Sequence, residues 1–320
     1  MKSRTLRILG LALAFTLIAA ACGSAAVKTD GSDIRIAVIL KSLTNPFWMM
    51  AKQSAEETGR RLGVNVTVFS TTNETDFNAQ ASQVEDAVTG GYDVICIVPS
   101  DGNALVPACE EAVRRGVPVI VLDSALNSDA GASFVASDNI AGGAMAAEYI
   151  AKRLEGKGNA AVIRGGNGHP VELERYKGFT EELAKYPDIK IVAEAHAEWE
   201  ADKASNVMED FLNSHPEIQA VFCESDMMVI GASQMAKLSR RSDIIFVGLD
   251  GIVDALRLVR SGQIAADVAQ SPDKIGEYGV KAAVKLAKGE TIDKRIVTPM
   301  VLATTDTVDP LIQNWEALGF

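Results

Sequence analysis

Residues 34–69 read IRIAVILKSLTNPFWMMAKQSAEETGRRLGVNVTVF, and this stretch carries the pattern that decides the fold. Ile34–Leu40 is a short apolar run rich in β-branched residues, which reads as a strand. Pro46–Leu62 then shows apolar residues at helical spacing and is closed by Gly63. Val64–Phe69 is a second strand-like run. Strand, helix and strand in that order make a unit whose two strands lie parallel in one sheet.

The pattern repeats outward. Further strand runs lie at Val94–Val98, Val119–Leu122, Ala161–Ile163, Ile189–Ala193, Ala220–Cys223, Ile244–Val247 and Ile264–Val268. Pro118 precedes the run at Val119, where a strand start tolerates it. Helical periodicity fills the gaps at Phe77–Val88, Ala104–Arg114, Ala141–Leu154, Leu173–Ala184, Lys203–Leu212, Met227–Leu238, Val253–Val259 and Pro272–Lys288. Repeated units of this kind predict parallel sheets covered by helices on both faces. The units divide about equally around residue 138, so the expected fold is α/β, with two similar doubly wound lobes.

Composition narrows the function. The chain has 320 residues, 48% of them hydrophobic, and a net charge of -11. That is enough apolar material for two cores, and the acidic balance disfavours a nucleic-acid binder, which needs a basic face. Residues 1–21 read as a targeting segment: Lys2, Arg4 and Arg7 precede the apolar run Ile8 to Ala21, which is too short for a comfortable membrane span. Cys22-Gly23-Ser24 follows Ala19-Ala20-Ala21 in the manner of a lipoprotein signal. Two outcomes stay open, a lipid anchor on Cys22 or ordinary cleavage after Ala21. Either way the expected body is exported, with residues 22–32 as a polar leader. Cys96, Cys109 and Cys223 are odd in number, and two of them lie in strand runs, so buried thiols are expected and not a disulfide framework.

The residues at the strand ends are more informative. Asp123, Asp138, Asp226 and Asp250 each come directly after an apolar run, and the first strand leads into Lys41, Asn45, Phe47 and Trp48. Ligands of open parallel sheets bind beyond the carboxyl ends of the strands. Each Asp alone reads equally well as a helix cap; the set with the aromatic pair favours a ligand site. Other chemistry is thin. His169, His196 and His215 have no metal-ligand spacing with the cysteines, and Gly165-Gly166-Asn167-Gly168 lacks the arrangement of a phosphate-binding loop. The Met49-Met50 and Met227-Met228 pairs read as packing residues. No nucleophile with an adjacent base is identifiable, so no enzyme, cofactor or metal is expected. An acidic, aromatic rim with few cations suits a neutral polyhydroxy compound, whose hydroxyls donate to carboxylates and whose C–H faces lie on aromatic rings.

Taken together, Val-Ile-Leu-Lys41-Ser-Leu-Thr-Asn45-Pro-Phe47-Trp48, Val-Leu-Asp123, Ala-Ser137-Asp138-Asn139, Glu174-Arg175-Tyr-Lys-Gly-Phe and Val-Gly-Leu-Asp250-Gly resemble the periplasmic sugar-binding proteins of ABC importers, type I fold. The resemblance spans residues 22–320 and is strongest to the ribose- and allose-binding branch. It implies that Lys41 and Asn45 bond sugar hydroxyls, that Phe47, Trp48 and Trp199 stack on the ring, and that Asp123, Arg175, Ser225, Asp250 and Gln270 complete the pocket. Two positions depart from the branch: Ser124 stands where ribose binders carry Arg, and Ser225 where many members carry Asn. Both shorten the reach of the site, so the resemblance leaves ribose, allose, psicose and sugar alcohols open.

The resemblance further implies three crossings between lobes, near residues 138, 270 and 299. One lobe is then 33–137 with 271–299, the other 138–270 with 300–320. A membrane permease is the implied partner and a monomer the implied working form. Rival readings are a sugar-sensing receptor for chemotaxis or signalling, a binder of a non-sugar furanosyl signal, a repressor of the same fold class, and an exported glycosidase using Asp123 and Asp250 as an acid/base pair. The repressor is disfavoured by the export signal and the negative charge.

Overall fold

The computed structural model describes residues 33–320; the targeting segment, the leader and Cys22 lie outside the described residues. The first unit forms as its sequence dictates. Strand β1 (Arg35–Ser42) has every residue after the first buried, and helix α1 (Pro46–Leu62) starts four residues later. Asn45 caps that helix by accepting from the Phe47 N–H at 3.0 Å, and Gly63 ends it at φ 68°, where a residue with a Cβ would be strained.

The chain continues through β2 (Asn65–Thr71), α2 (Phe77–Thr89), β3 (Val94–Ile97), α3 (Val106–Arg114), β4 (Val119–Leu122) and β5 (Gly131–Ala136). It then runs through α4 (Asn139–Arg153), β6 (Lys157–Arg164), α5 (Pro170–Leu183), β7 (Asp188–His196), α6 (Ala201–Ser214), β8 (Ala220–Cys223) and α7 (Asp226–Leu238). Last come β9 (Ile245–Asp250), α8 (Val253–Ser261), β10 (Ala266–Ala269), α9 (Pro272–Ala287), β11 (Arg295–Val297), β12 (Val301–Ala303) and α10 (Asp309–Ala317).

Two six-stranded sheets result, ordered β11-β5-β4-β3-β1-β2 and β12-β10-β9-β8-β6-β7. The first is parallel throughout. The second departs from the parallel expectation at one edge, where β12 runs antiparallel to β10. The inner strands β3, β4, β8 and β10 are buried along their whole length, as strands covered by helices on both faces must be. Cys96, Cys109 and Cys223 are buried free thiols. The methionine pairs split: Met50 and Met228 are in the core, while Met49 is 44% exposed.

The chain passes from one sheet to the other three times: after β5, after β10, and between β11 and β12. The crossings are tied side by side. Ser137 and Thr298 hydroxyls bond each other at 2.9 Å, Arg295 donates to the Ser137 carbonyl at 3.1 Å, and Ser271 donates to the Pro299 carbonyl at 3.1 Å. Helix α5 is pressed against α4 at two glycines. A Cβ on Gly143 would lie 2.0 Å from the Arg175 carbonyl oxygen, and one on Gly178 would lie 1.9 Å from that of Ile140. This contact sets the depth of Arg175, on the inner face of α5.

Candidate ligand-binding site

The carboxyl ends of both sheets face one cavity. Each lobe sends side chains into it from the end of a strand or the start of a helix. From the first lobe come Lys41 at the end of β1, Asn45, Phe47 and Trp48 at the start of α1, Glu74 after β2 and Asp123 after β4. From the second come His169 after β6, Val171 and Arg175 on α5, Trp199 after β7, Ser225 after β8, Asp250 at the end of β9 and Gln270 after β10. All ten residues singled out in the sequence line this space. Glu74, His169 and Val171 line it too and were not anticipated.

The four strand-end aspartates divide. Asp123 and Asp250 line the cavity. Asp138 is exposed and caps α4 by accepting from the Ala141 N–H at 3.0 Å. Asp226 is fully buried behind the cavity wall, where it accepts from the Ile252 N–H at 2.7 Å. Two of the predicted site residues double as caps: Asn45 for α1 and Ser225 for α7.

Backbone strain concentrates here. Among the described residues six non-glycines have positive φ, and Asp123 (57°), Trp199 (66°) and Asp250 (150°) are three of them. Such conformations cost on the order of 1–3 kcal/mol each and persist where the surroundings over-determine them. For Trp199 the cause is visible in the Gly165-Gly166 turn. A Cβ on Gly165 would lie 2.0 Å from the Trp199 ring, so the two glycines form the floor on which the indole rests. The turn connects β6 to α5, as the sequence pattern predicts, and its glycines serve an aromatic ring.

The polar groups are cross-braced. Arg175 donates to the Asn139 side chain at 3.1 Å and to the Glu224 carbonyl, and lies 3.1 Å from Asp250 Oδ1. Gln270 donates to Asp250 Oδ1 at 2.9 Å, while its own buried Oε1 has no partner among the described residues. Lys41 Nζ donates to Ser124 Oγ at 3.1 Å and sits 5.4 Å over the Trp48 ring. Glu74 takes the Trp48 indole N–H on both oxygens, at 2.9 and 3.0 Å, and the Asn45 amide at 3.4 Å.

Burial dominates the electrostatics. It pushes Asp250 up to about 7 despite Arg175, and Glu224, behind the Gly165 turn, up to about 8. Burial also raises Glu74, against the pull of Lys41. His169 is held down at about 2 by burial, with Lys41 and Arg175 adding repulsion, so its ring is neutral. Behind Asp250 lies a carboxyl pair, Asp226 and Asp267, both fully buried. Asp226 Oδ1 and Asp267 Oδ2 converge over Gly248, where a Cβ would meet them at 2.7 and 2.6 Å. No other side-chain donor among the described residues reaches either atom, so the two carboxyls hydrogen-bond each other through a proton of their own. Burial raises Asp226 well above the usual range.

A small cavity between two predominantly parallel sheets, lined from both lobes by acceptors, donors and indole rings, defines a two-lobed α/β ligand-binding protein. The chain belongs to the periplasmic binding proteins: the periplasmic binding protein domain matches residues 36–291. It is 33% identical to the ribose import binding protein of Escherichia coli over 281 residues, 88% of this chain and 94% of that one. Against the D-allose-binding periplasmic protein of the same organism it is 36% identical over 261 residues, 79% of this chain and 84% of the relative. The xylitol-binding protein of Mycolicibacterium smegmatis is 33% identical over 295 residues, 92% of this chain and 84% of the relative. Among solved structures, a carbohydrate transporter solute-binding protein from Agrobacterium radiobacter in complex with D-arabinose superposes with a TM-score of 0.84, at 31% identity, over 89% of this chain and 99% of that one.

Proposed function

We propose that the protein captures a monosaccharide or a sugar alcohol between its lobes and hands it to the permease of an ABC importer. The observation that carries this is the lining of the cavity: acceptors at Asp123, Asp250, Glu74 and Gln270 and donors at Lys41 and Arg175 share it with the Trp48 and Trp199 indoles, one from each lobe. Adjacent hydroxyls both donate and accept, so alternating partners match them, and an unmatched buried group costs about 1–3 kcal/mol. Ligands of the relatives agree with this chemistry, being ribose, allose, xylitol and D-arabinose.

In this reading Lys41, Asn45, Phe47, Trp48 and Asp123 form one jaw's surface and Arg175, Trp199, Ser225, Asp250 and Gln270 the other's. The jaws are residues 33–137 with 271–299 and 138–270 with 300–320. The ligand favours the closed form because only that form offers both sets of contacts at once. The protein works as an exported monomer without catalysis, either free or held to the outer face of the membrane through Cys22.

A thermal-shift screen against D-ribose, D-allose, D-arabinose, D-psicose, xylitol and myo-inositol tests the reading. A ligand at a thousandfold excess over Kd stabilises the native state by about 4 kcal/mol. One or two strong responses among stereoisomers are expected. A flat response across the panel rejects sugars and polyols, and turnover of a glycoside rejects the absence of catalysis.

A further inference from the structure

His169 stands at a junction. Lys41, Glu74, His169 and Trp199 line both the cavity and a wider space beside it that both lobes also line, so they form the neck between the two. Lys41 belongs to the first lobe and His169 to the second, and Lys41 Nζ lies 3.4 Å from His169 Nε2.

The contact is mismatched. His169 caps α5, its Nδ1 accepting from the Val171 N–H at 3.3 Å. A backbone N–H only donates, so Nδ1 carries no proton, and the neutral ring has its proton on Nε2. Burial and the neighbouring Lys41 and Arg175 keep the ring neutral. Two donors therefore face each other across the neck. Lys41 has three N–H bonds and spends one on Ser124. An oxygen within reach of both groups would satisfy them together.

Glu74 indicates what kind of oxygen. Its carboxylate is fixed beside the neck by Trp48 and Asn45, and a carboxylate has about four acceptor positions, so one remains. An anionic oxygen would be repelled by Glu74, whereas a hydroxyl can accept from two donors and give its own proton to the carboxylate. We propose that Lys41 and His169 hold one ligand hydroxyl at the neck from opposite lobes, with Glu74 accepting its proton, which makes His169 and Glu74 specificity-determining residues. The proposal rests on the sugar-or-polyol reading and adds to it the requirement for a hydroxyl at this corner.

The test uses His169→Asn, because Asn also caps helices but cannot place a donor at the neck. Wild type and variant are titrated by calorimetry with the same six sugars and polyols, then with each mono-deoxy form of the tightest binder. His169→Asn is expected to weaken that binder about tenfold or more. One deoxy form should bind wild type as poorly, and His169→Asn should not weaken it further. Glu74→Gln should be silent with that same deoxy form, which provides the check if His169→Asn melts early. Unchanged affinity in both variants overturns the proposal alone, as does an equal loss with every deoxy form. Absence of any panel binder to wild type overturns the sugar reading and the proposal with it.

Discussion

Asp267→Asn should make the protein more stable at pH 8 and change it little at pH 4. Asp267 is fully buried and hydrogen-bonded to Asp226 through a proton that the two carboxyls share. Burial raises both carboxyls of the pair, Asp226 the further, so Asp226 keeps the shared proton and Asp267 releases the second one first. Below about pH 4 the folded and unfolded chains both keep that second proton. As the pH rises from there the unfolded chain releases it before the folded chain does, so stability falls. The slope approaches about 1.4 kcal/mol per pH unit, and the loss is complete once the folded pair has released it. Asparagine has nothing to ionise, and its amide can donate to the free Asp226 Oδ1. The variant should therefore recover on the order of 1.4 kcal/mol for each pH unit by which folding raises the pair's titration, seen as a melting temperature several degrees higher at pH 8. Asp250 and Glu224 are raised too, so the informative quantity is the difference between the wild-type and variant profiles from pH 4 to pH 8. Profiles that run parallel would refute the shared-proton account, and an equal loss at every pH would mean that asparagine does not fit over Gly248.

Asp250→Ala should abolish binding and lower the melting temperature, because it removes the carboxylate beside the buried Arg175, which keeps only Asn139 and the Glu224 carbonyl; Asp250→Asn, of the same shape, should lose affinity with a smaller drop in melting temperature. Trp48→Ala should weaken every panel ligand while Trp48→Phe retains part of the affinity, since stacking tolerates any hydroxyl pattern; calorimetry with two stereoisomers checks both. Gly165→Ala should push the Trp199 ring off its floor, seen as a shifted indole fluorescence and weakened binding with far-ultraviolet circular dichroism unchanged.

The regular part of the fold was legible because its strands are long enough to show a period and its helices are bounded by proline and glycine. Pro46–Leu62 is the helix that the spacing predicts, residue for residue. The last part was not. Strands β11 and β12 have three residues each, too few to show alternation, and owe their extension to pairing with β5 and β10. Helix α10, Asp309–Ala317, buries only Ile312 and Trp315, so its apolar stripe is too sparse to stand out. For the site, strand ends indicated Asp123 and Asp250 but could not separate them from Asp138 and Asp226, since capping, lining a cavity and sharing a buried proton all call for the same residue type. Arg175, Trp199, Ser225 and Gln270 came from family resemblance. Glu74 obeys the strand-end rule, but β2 extends past its apolar run to Thr71, which hid the connection. For His169 the sequence offers only metal-ligand spacing to test, whereas its place comes from capping α5.

The three crossings of the chain bear on how the molecule is made. The first sheet needs β11 at its edge, and helix α9 packs on β3 and β4, so that lobe is incomplete until residue 297 has been synthesised. The second sheet needs β12 at its own edge, ending at Ala303. Neither half can finish before nearly the whole polypeptide exists, and contacts this distant in sequence form slowly. A nascent chain therefore stays unfinished through most of its synthesis, exposing apolar strand and helix faces that only its last residues cover.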